Sequence, residues 1–422
     1  MRGVIFLIIF IVLIVPKEAF AQDVAALETQ VRELAQMVRE LKTTVEVQQQ
    51  DIADLKKTYE IRYQPPAPQP APQPVVLPSK FMPEIGAVAD IVAKFDTPKN
   101  SVFDEDYINQ VDVRELEIVL GSNVDPYSRL DTTIAFSEKE GVDLEEAYLT
   151  RFGLPFDTTA RVGRFLPKIG KALPVHRDSL DTVDEPLVIQ RYFGEEGMFK
   201  SGIDLTKILD LPIPSVHQVT IGVLEGGNGE GGTAFGPARK RPTLYGHLKN
   251  YLDITDVTNF ELGVSDALGS NDDNASFKVN VLGLDATLRH IIGQDQEIKL
   301  QSETFYMSRR ESAVFADDGT GAMVITSNQG GNFWGGYGLL DVRLSSRWGT
   351  GLRFDYVQPV DRMLGDPRRA ETGIAGYLTF YQSEFARLRA QISHTDPAGG
   401  EGDTRVFMQG TFAIGEHKHK LQ

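Results

Sequence analysis

The sequence predicts an all-β transmembrane barrel of about 16 antiparallel strands, preceded by an α-helical coiled coil and a proline-rich linker. Three observations support this prediction. A heptad repeat follows an apolar N-terminal segment, a proline-rich run follows the heptads, and apolar and polar residues alternate from Phe81 onward. These features divide the chain into residues 1–21, 22–62, 63–80 and 81–422.

Residues 1–21 have the composition of a secretory signal peptide. Arg2 precedes an apolar run from Val4 to Val15, and Ala19-Phe20-Ala21 supplies the small-x-small pattern of a cleavage site. The alternative is an N-terminal membrane anchor, although the run is shorter than the ~20 residues that cross a bilayer. We therefore expect the mature protein to be secreted. The chain has no cysteine and a formal net charge of −16, which excludes disulfides and argues against a nucleic-acid partner.

Residues 22–62 carry a heptad repeat of apolar side chains, which predicts self-association through a periplasmic coiled coil. Its apolar positions are Val24, Leu27, Val31, Leu34, Val38, Leu41, Val45, Ile52, Leu55 and Tyr59. Branched a positions with leucine at d favour a dimer, whereas Gln48 at a d position weakens that preference and a porin barrel suggests a trimer. Both oligomers stay open, with a trimer favoured. The prolines from Pro65 to Pro74 then end the helix and predict an extended spacer.

From Phe81 the side chains alternate in character with a period of two, as in strands that have one apolar and one polar face. Leu352, Phe354 and Tyr356, for example, alternate with Arg353 and Asp355. The predicted strands begin near residues 83, 112, 128, 144, 158, 197, 215, 242, 257, 275, 295, 332, 347, 370, 385 and 404. An even number of strands places both ends of the barrel in the periplasm.

The connections between these strands alternate in length, as they do in outer-membrane barrels. The even-numbered connections are short, whereas most odd-numbered ones, such as 226–239 and 311–332, are long and rich in glycine and acid. A soluble β-sandwich has no reason to alternate in this way. We therefore expect an integral outer-membrane protein in contact with lipid and lipopolysaccharide. Aromatic residues near strand ends are expected to form interfacial girdles, namely Phe136, Tyr148, Phe152, Tyr245, Trp334, Trp348, Tyr377, Phe380 and Phe385.

The longest irregular segment of the barrel region runs from Pro167 to Glu196, after the fifth predicted strand. In 16-stranded porins the loop at this position enters the lumen, so we expect it to form a constriction of mixed charge. The alternative is an ordinary outer loop. The candidate constriction residues are Lys168, Lys171, His176, Arg177, Asp178, Asp181, Asp184, Glu185 and Arg191.

Three segments, FMPEIGAVADIVAKF, RVGRFLPKIGK and EPLVIQRYFGEEG, resemble porin-like outer-membrane proteins of Gram-negative bacteria. The order of coiled coil, proline linker and barrel is also similar to trimeric porins related to the phosphate-selective group. This resemblance implies a trimeric channel for small hydrophilic solutes. Phosphate-selective members line their pores with arginine and lysine, whereas here the inward charges alternate in sign.

The charged residues expected to face the lumen have two interpretations. Opposite charges on neighbouring strands can brace a barrel wall without selecting a solute, whereas unpaired charges can select one. Bracing is favoured for Glu115, Glu117, Asp341, Asp355 and Arg343. Arg387 and Arg389, which lack an intervening acid, are the better candidates for contacting anions. The predicted lumen-facing charges are Glu115, Glu117, Asp341, Arg343, Arg353, Asp355, Arg387 and Arg389.

No catalytic motif of the G-x-S-x-G, Walker or H-E-x-x-H type occurs in the sequence, so we expect neither an enzyme nor a cofactor. His417-Lys418-His419 is interpreted as a basic tail rather than a metal site. The pairs Asp272-Asp273 and Asp317-Asp318 are interpreted as solvated loops. The expected function is passive diffusion of small hydrophilic solutes. The alternative is an envelope tether, in which the coiled coil and linker bind peptidoglycan or a periplasmic partner.

Overall fold

A computed structural model describes residues 83–96, 110–138, 141–236, 241–272, 276–311, 313–317, 323–328, 330–360 and 369–415, together with Gln36 and Lys42. The chain divides into two compact units, Met1–Leu77 and Pro78–Gln422. In the first unit, Gln36 and Lys42 are helical and exposed. The predicted signal peptide, the other residues of the predicted coiled coil, the predicted linker and the tail at His417–His419 lie outside the described residues.

The second unit contains the strands, whose alternating apolar and polar residues suit a sheet with two different faces. They are β1 (Glu84–Asp96), β2 (Gln110–Asp125), β3 (Ser128–Ser137), β4 (Gly141–Leu154), β5 (Thr158–Phe165), β6 (Lys200–Leu209), β7 (Val216–Leu224), β8 (Thr243–Thr255), β9 (Thr258–Ser270), β10 (Lys278–Gly293), β11 (Gln296–Arg309), β12 (Ala313–Asp317), β13 (Met323–Asn328), β14 (Gly331–Arg343), β15 (Trp348–Val357), β16 (Glu371–Ser383), β17 (Ala386–Asp396) and β18 (Asp403–Gly415). In the described connections, one short helix, α1 (Leu187–Tyr192), and the 3-10 turns Pro155–Asp157 and Arg177–Ser179 lie between strands. Among the described residues, no helix is both long and apolar enough to cross a membrane.

Sixteen of the described strands form one closed antiparallel barrel, which confirms the barrel part of the predicted fold class. Each strand pairs with its neighbours in the chain, and β1 closes the barrel against β18 over Gly86↔Gly415 to Asp96↔Arg405. Because β11 pairs directly with β14, β12 and β13 form a separate hairpin outside the barrel sheet. That hairpin lies in a connection that the sequence predicts only as a long loop.

The two ends of the barrel differ in their connections, as predicted. The connections 126–127, 155–157, 210–215, 256–257, 294–295, 344–347 and 384–385 meet at one end, which we call the turn end. The opposite end, the loop end, carries the remaining connections, most of which are longer; the exceptions are 138–140 and 397–402, the latter equal in length to 210–215. Both termini of the barrel sheet, Glu84 and Gly415, lie at the turn end, since they pair beside Gly121 and Gly86.

The burial of the side chains is inverted relative to that of a soluble protein. On β15, Leu352 and Phe354 are each 56% exposed on the outside, whereas the inward Arg353 and Asp355 are 3% and 2% exposed. An apolar exterior is stable only in an apolar solvent, so this pattern fits a bilayer. Aromatic pairs occupy both margins of this surface. Trp348 packs on Phe380 with ring centroids 4.8 Å apart, and Trp334 stacks on Tyr356 at 4.3 Å.

The girdle prediction was wrong for three aromatic residues. Tyr245 and Tyr377 are 4% and 5% exposed, and both face inward. Tyr245 donates a hydrogen bond to Asp204 at 2.7 Å, and Tyr148 meets the ring of Phe165 edge-on at 6.1 Å. Nearness to a strand end does not determine which side of the wall a residue faces, because the facing depends on register.

Candidate functional site

The connection between β5 and β6, residues 166–199, folds into the barrel, and we call it the inserted loop. Its backbone is held by inward side chains of well-separated strands. The N–H of Gly170 donates to Ser265 Oγ on β9 at 2.8 Å, and the N–H of Val183 donates to Gln391 Oε1 on β17 at 2.8 Å. Arg114 on β2 donates to the carbonyl of Val183 at 2.5 Å. The loop therefore crosses the lumen and contacts several parts of the wall.

Most of the charged residues predicted to form a constriction contact the wall. The side-chain contacts are Lys168 with Thr206 (3.2 Å), Lys171 with Glu261 (2.5 Å), Asp181 with Lys299 (2.5 Å), Asp184 with Arg353 (3.2 Å) and Arg191 with Glu371 (2.8 Å). Arg177 instead pairs with Glu196 inside the loop, at 2.6 Å. The ion pairs between loop and wall hold the loop in position, because each wall partner is mostly buried and loses its compensating charge when the loop partner is removed.

Arg353 makes the densest of these contacts. Its guanidinium donates to Asp355 Oδ2 on the same strand at 2.8 Å, to Thr182 Oγ1, and to the carbonyls of Asp184 (2.6 Å) and Glu185 (3.2 Å). Five donors in a rigid fork suit this arrangement of carboxylate and carbonyl oxygens. Burial raises the pKa of the Glu185 carboxyl to about 8, so this side chain adds little negative charge near neutral pH.

The two arginines on β17 also hold the inserted loop. Arg387 donates to the carbonyl of Asp178, and Arg389 donates to the carbonyl of Leu180 at 2.9 Å. Both arginines are 4% exposed. They therefore combine a structural contact with a position beside the cavity described next.

A cavity of about 540 Å³ opens at the turn end of the barrel. Five cationic side chains and four acidic ones line it: Arg289, Lys299, Arg343, Arg387, Arg389, Asp181, Asp295, Glu297 and Asp341. Two of the predicted lumen charges in this set contact tyrosines. Tyr377 donates to Asp341 at 2.6 Å, and the Arg343 guanidinium lies 3.9 Å above the ring of Tyr381. A smaller cavity of about 200 Å³ shares Asp181, Arg289 and Lys299 and reaches Arg353.

The loop-end half of the lumen contains an apolar core, which the sequence analysis did not predict. Ile169, Val188 and Phe193 of the inserted loop are fully buried against Phe305 and Val357 of the wall. The rings of Phe193 and Phe305 meet edge-on with centroids 5.0 Å apart. Burying side chains of this size contributes roughly 1.5–3 kcal/mol each. The signal in the sequence is a lapse of alternation, as in TFYM on β11, where both faces of the strand are apolar.

On the opposite side of the lumen, His176 of the inserted loop lies among carboxylates. Its Nδ1 is 3.3 Å from Glu145 Oε2 and 3.7 Å from Glu117 Oε1, and its Nε2 is 3.4 Å from Glu146 Oε2. Burial alone would lower the pKa of His176, but these carboxylates raise it well above its usual range. Glu115, another predicted lumen residue, is buried on the same strand as Glu117.

A β-bulge explains why two consecutive glutamates face His176. In the pairing of β3 with β4, Thr133 lies opposite Glu146 and Ile134 lies opposite Leu144, so Glu145 is the extra residue. An extra residue redirects a side chain that strict alternation would send to the other face. Glu145 and Glu146 are consequently both buried inside. Alternation alone would place only one of them in the lumen, so the pair cannot be predicted from the period of two.

The described barrel has the porin-like fold of outer-membrane channels. No protein-family model matches the chain. An uncharacterized protein of Aquifex aeolicus (strain VF5) is 27% identical over 329 residues, which cover 71% of this chain and 68% of that relative. An anion-selective porin from Comamonas acidovorans matches with a TM-score of 0.52 at 9% identity, over 79% of this chain and 99% of the porin. OprB of Pseudomonas putida gives a TM-score of 0.54 at 8% identity, over 79% of this chain and 94% of OprB.

Proposed function

We propose that this chain is an outer-membrane channel through which small hydrophilic solutes diffuse passively past the inserted loop. The observation that carries the proposal is the charged cavity at the turn end, bounded by the inserted loop and by the inner faces of β10, β11, β14 and β17. Polar and charged side chains line the inside of the barrel, whereas its outer surface is apolar. Such a lining suits a water-filled path.

The cavity lining supports a local preference for anions. Arginine and lysine outnumber acids there although the chain as a whole is acidic. Arg387 and Arg389 lie two residues apart with no acid between them, which concentrates positive charge on one side of the path. A trimer is the favoured assembly and a dimer the alternative, with the coiled coil in the periplasm and lipopolysaccharide around the barrel.

The proposal is tested by single-channel conductance of the refolded protein in a planar bilayer under a salt gradient. We expect stepwise currents, in groups of three for a trimer, and a reversal potential on the anion-selective side. Arg387→Gln with Arg389→Gln should shift the reversal potential toward cation selectivity, because it removes two charges from the cavity. Arg405→Gln is the matched control, since Arg405 lies on the adjacent strand but pairs with Asp403 outside the cavity.

A second candidate, the envelope tether, is favoured by a different observation. The apolar core between the inserted loop and Phe305 fills part of the lumen, which an anchor tolerates better than an open pore does. Deletion of residues 22–80 separates the two candidates. If conduction is the function, solute uptake survives the deletion. If tethering is the function, the deletion impairs the integrity of the envelope. Folded, inserted protein that carries no current contradicts the channel and leaves the tether.

A further inference from the structure

The cluster around His176 has the geometry of a metal site. One atom each from Glu117, Glu145 and His176 lies within 4.8 Å of the other two. Ligand atoms of a tetrahedral zinc ion are roughly 3.3 Å apart, given zinc–ligand distances of about 2.0–2.1 Å. The distances from His176 Nδ1 to the two carboxylates, 3.3 and 3.7 Å, are close to this spacing.

The carboxylates of this cluster are buried and incompletely satisfied. Among the described residues, neither carboxylate oxygen of Glu117 has a hydrogen-bond partner, and the same holds for Glu145 Oε2. The side chains are only 2% and 5% exposed, so water does not solvate them freely. Buried carboxylate oxygens without donors are costly unless a cation accompanies them. Both groups point toward the imidazole, and a metal ion between the three, bound with release of the proton on His176 Nδ1, would satisfy them together.

The second ring nitrogen of His176 also lies close to a carboxylate. Metal-binding histidines commonly donate their other N–H to a carboxylate, which fixes the ring and raises its basicity. Here Nδ1 faces the two candidate ligands, while Nε2 faces Glu146 Oε2 at 3.4 Å. The bulge at Glu145 makes this arrangement possible, because it lets two consecutive residues face inward. Glu145 then lies near Nδ1 and Glu146 near Nε2.

We propose that Glu117, Glu145 and His176 bind a divalent transition-metal ion, with zinc as the best-matched ion and Glu146 orienting the histidine. An imidazole ligand favours zinc over calcium or magnesium, which prefer oxygen ligands alone. Two carboxylates balance the charge of the ion. The site joins β2 and β4 to the inserted loop, so the bound metal fixes the loop against this side of the wall. This inference goes beyond the proposed channel and does not depend on it.

The test is zinc binding to the full, untagged chain, refolded in detergent after chelator treatment and measured by titration calorimetry. All variants carry His417→Ala and His419→Ala, so that the tail cannot contribute ligands. We expect one zinc ion per chain, at least a 100-fold loss of affinity in Glu117→Gln, and a loss of about 10- to 100-fold in Glu146→Gln. Cobalt bound in place of zinc should give visible absorption bands that Glu117→Gln removes.

The matched control is Asp285→Asn, because Asp285 is a buried carboxylate 3.7 Å from the imidazole of His247. It resembles Glu117 in burial, charge and histidine contact but belongs to no group of three potential ligands among the residues that the structure describes, so zinc affinity should not change. The proposal is overturned if the parent protein binds no zinc, or if Glu117→Gln and Asp285→Asn bind it equally well. Should Glu117→Gln fail to fold, Glu146→Gln and the cobalt spectrum of the parent protein decide the question.

Discussion

Arg353 shows how a single side chain connects the wall of this barrel to its interior. Its nearest carboxylate, Asp355, lies two residues away on the same strand, and both are almost completely buried. The remaining donors reach the inserted loop at Thr182, Asp184 and Glu185. The sequence predicts that Arg353 faces inward, but the loop carbonyls that it binds are more than 150 residues away in the chain.

Replacing Arg353 with methionine should destabilise the folded protein strongly. The substitution leaves the buried Asp355 and the partly exposed Asp184 without their cation, which costs about 3–5 kcal/mol. Urea unfolding of the refolded protein measures this cost. Arg405→Met is the matched control, because Arg405 and Asp403 form the same two-residue pair on a strand at 2.6 Å while 43% and 29% exposed. The control should cost about 0–1 kcal/mol, and equal losses in the two variants would contradict the argument.

Other contacts at the residue scale could not be predicted from the sequence. Glu145, Arg289 and Lys299 belong to the candidate sites but were not singled out. Arg289 on β10 and Lys299 on β11 fit the alternation of inward and outward side chains. Many charged residues that do not line the cavity fit it equally well. Only the path of the inserted loop determines which inward charges it covers and which it leaves lining open space.

At the scale of elements, the inserted loop forms the candidate sites, because it places its own groups against inward side chains of the barrel wall. Its entry depends on Gly170, whose φ of +68° favours glycine and whose missing Cβ leaves room for the Glu303 carboxylate. That carboxylate accepts hydrogen bonds from the N–H groups of Lys171 (2.8 Å) and Ala172 (3.1 Å). A side chain at position 170 would therefore compete with the acceptor that anchors the loop.

Gly170→Ala should lower the free energy needed to open the inserted loop by about 1–3 kcal/mol more than the same change at an open position does. The reason is that two backbone donors lose their acceptor. Gly400→Ala is the matched control. Gly400 has a φ of +85°, so it shares the backbone cost, but no atom lies within 4 Å of the added methyl group. Trypsin cleavage at Lys168, Lys171 or Arg177 in the folded protein reports the loosening. Equal protection of the two variants would show that Glu303 does not anchor the loop.

At the scale of the whole molecule, the apolar outer surface determines the solvent in which this fold is stable. Leu352 lies midway along β15, between the outward aromatic residues Trp348 and Tyr356. Leu344 is similarly exposed but lies in the connection 344–347 at the turn end. A charge at position 352 would lie in the hydrocarbon core of the bilayer, whereas a charge at position 344 would lie at the interface between bilayer and water.

Leu352→Arg should destabilise the protein in lipid vesicles by about 2–4 kcal/mol, and Leu344→Arg by about 0–1 kcal/mol, following the depth dependence of charged residues on barrel exteriors. Reversible urea unfolding from vesicles measures both values. Two equally mild effects would mean that the outer face of β15 does not contact lipid.

The sequence by itself determined the barrel, because a period of two and the alternation of short and long connections are local properties of each strand and turn. It predicted about 16 strands, the start of each barrel strand to within a few residues, and a long connection at Pro167–Glu196 after the fifth strand. The entry of that connection into the lumen was expected by analogy with 16-stranded porins. Tertiary structure alone decided what this connection touches. The loop–wall contacts, the apolar core around Phe193 and the cluster at His176 join residues far apart in the chain, and a bulge at Glu145 changes which side chains face inward. Alternation determines two faces, but only the closed barrel determines which residues meet inside it.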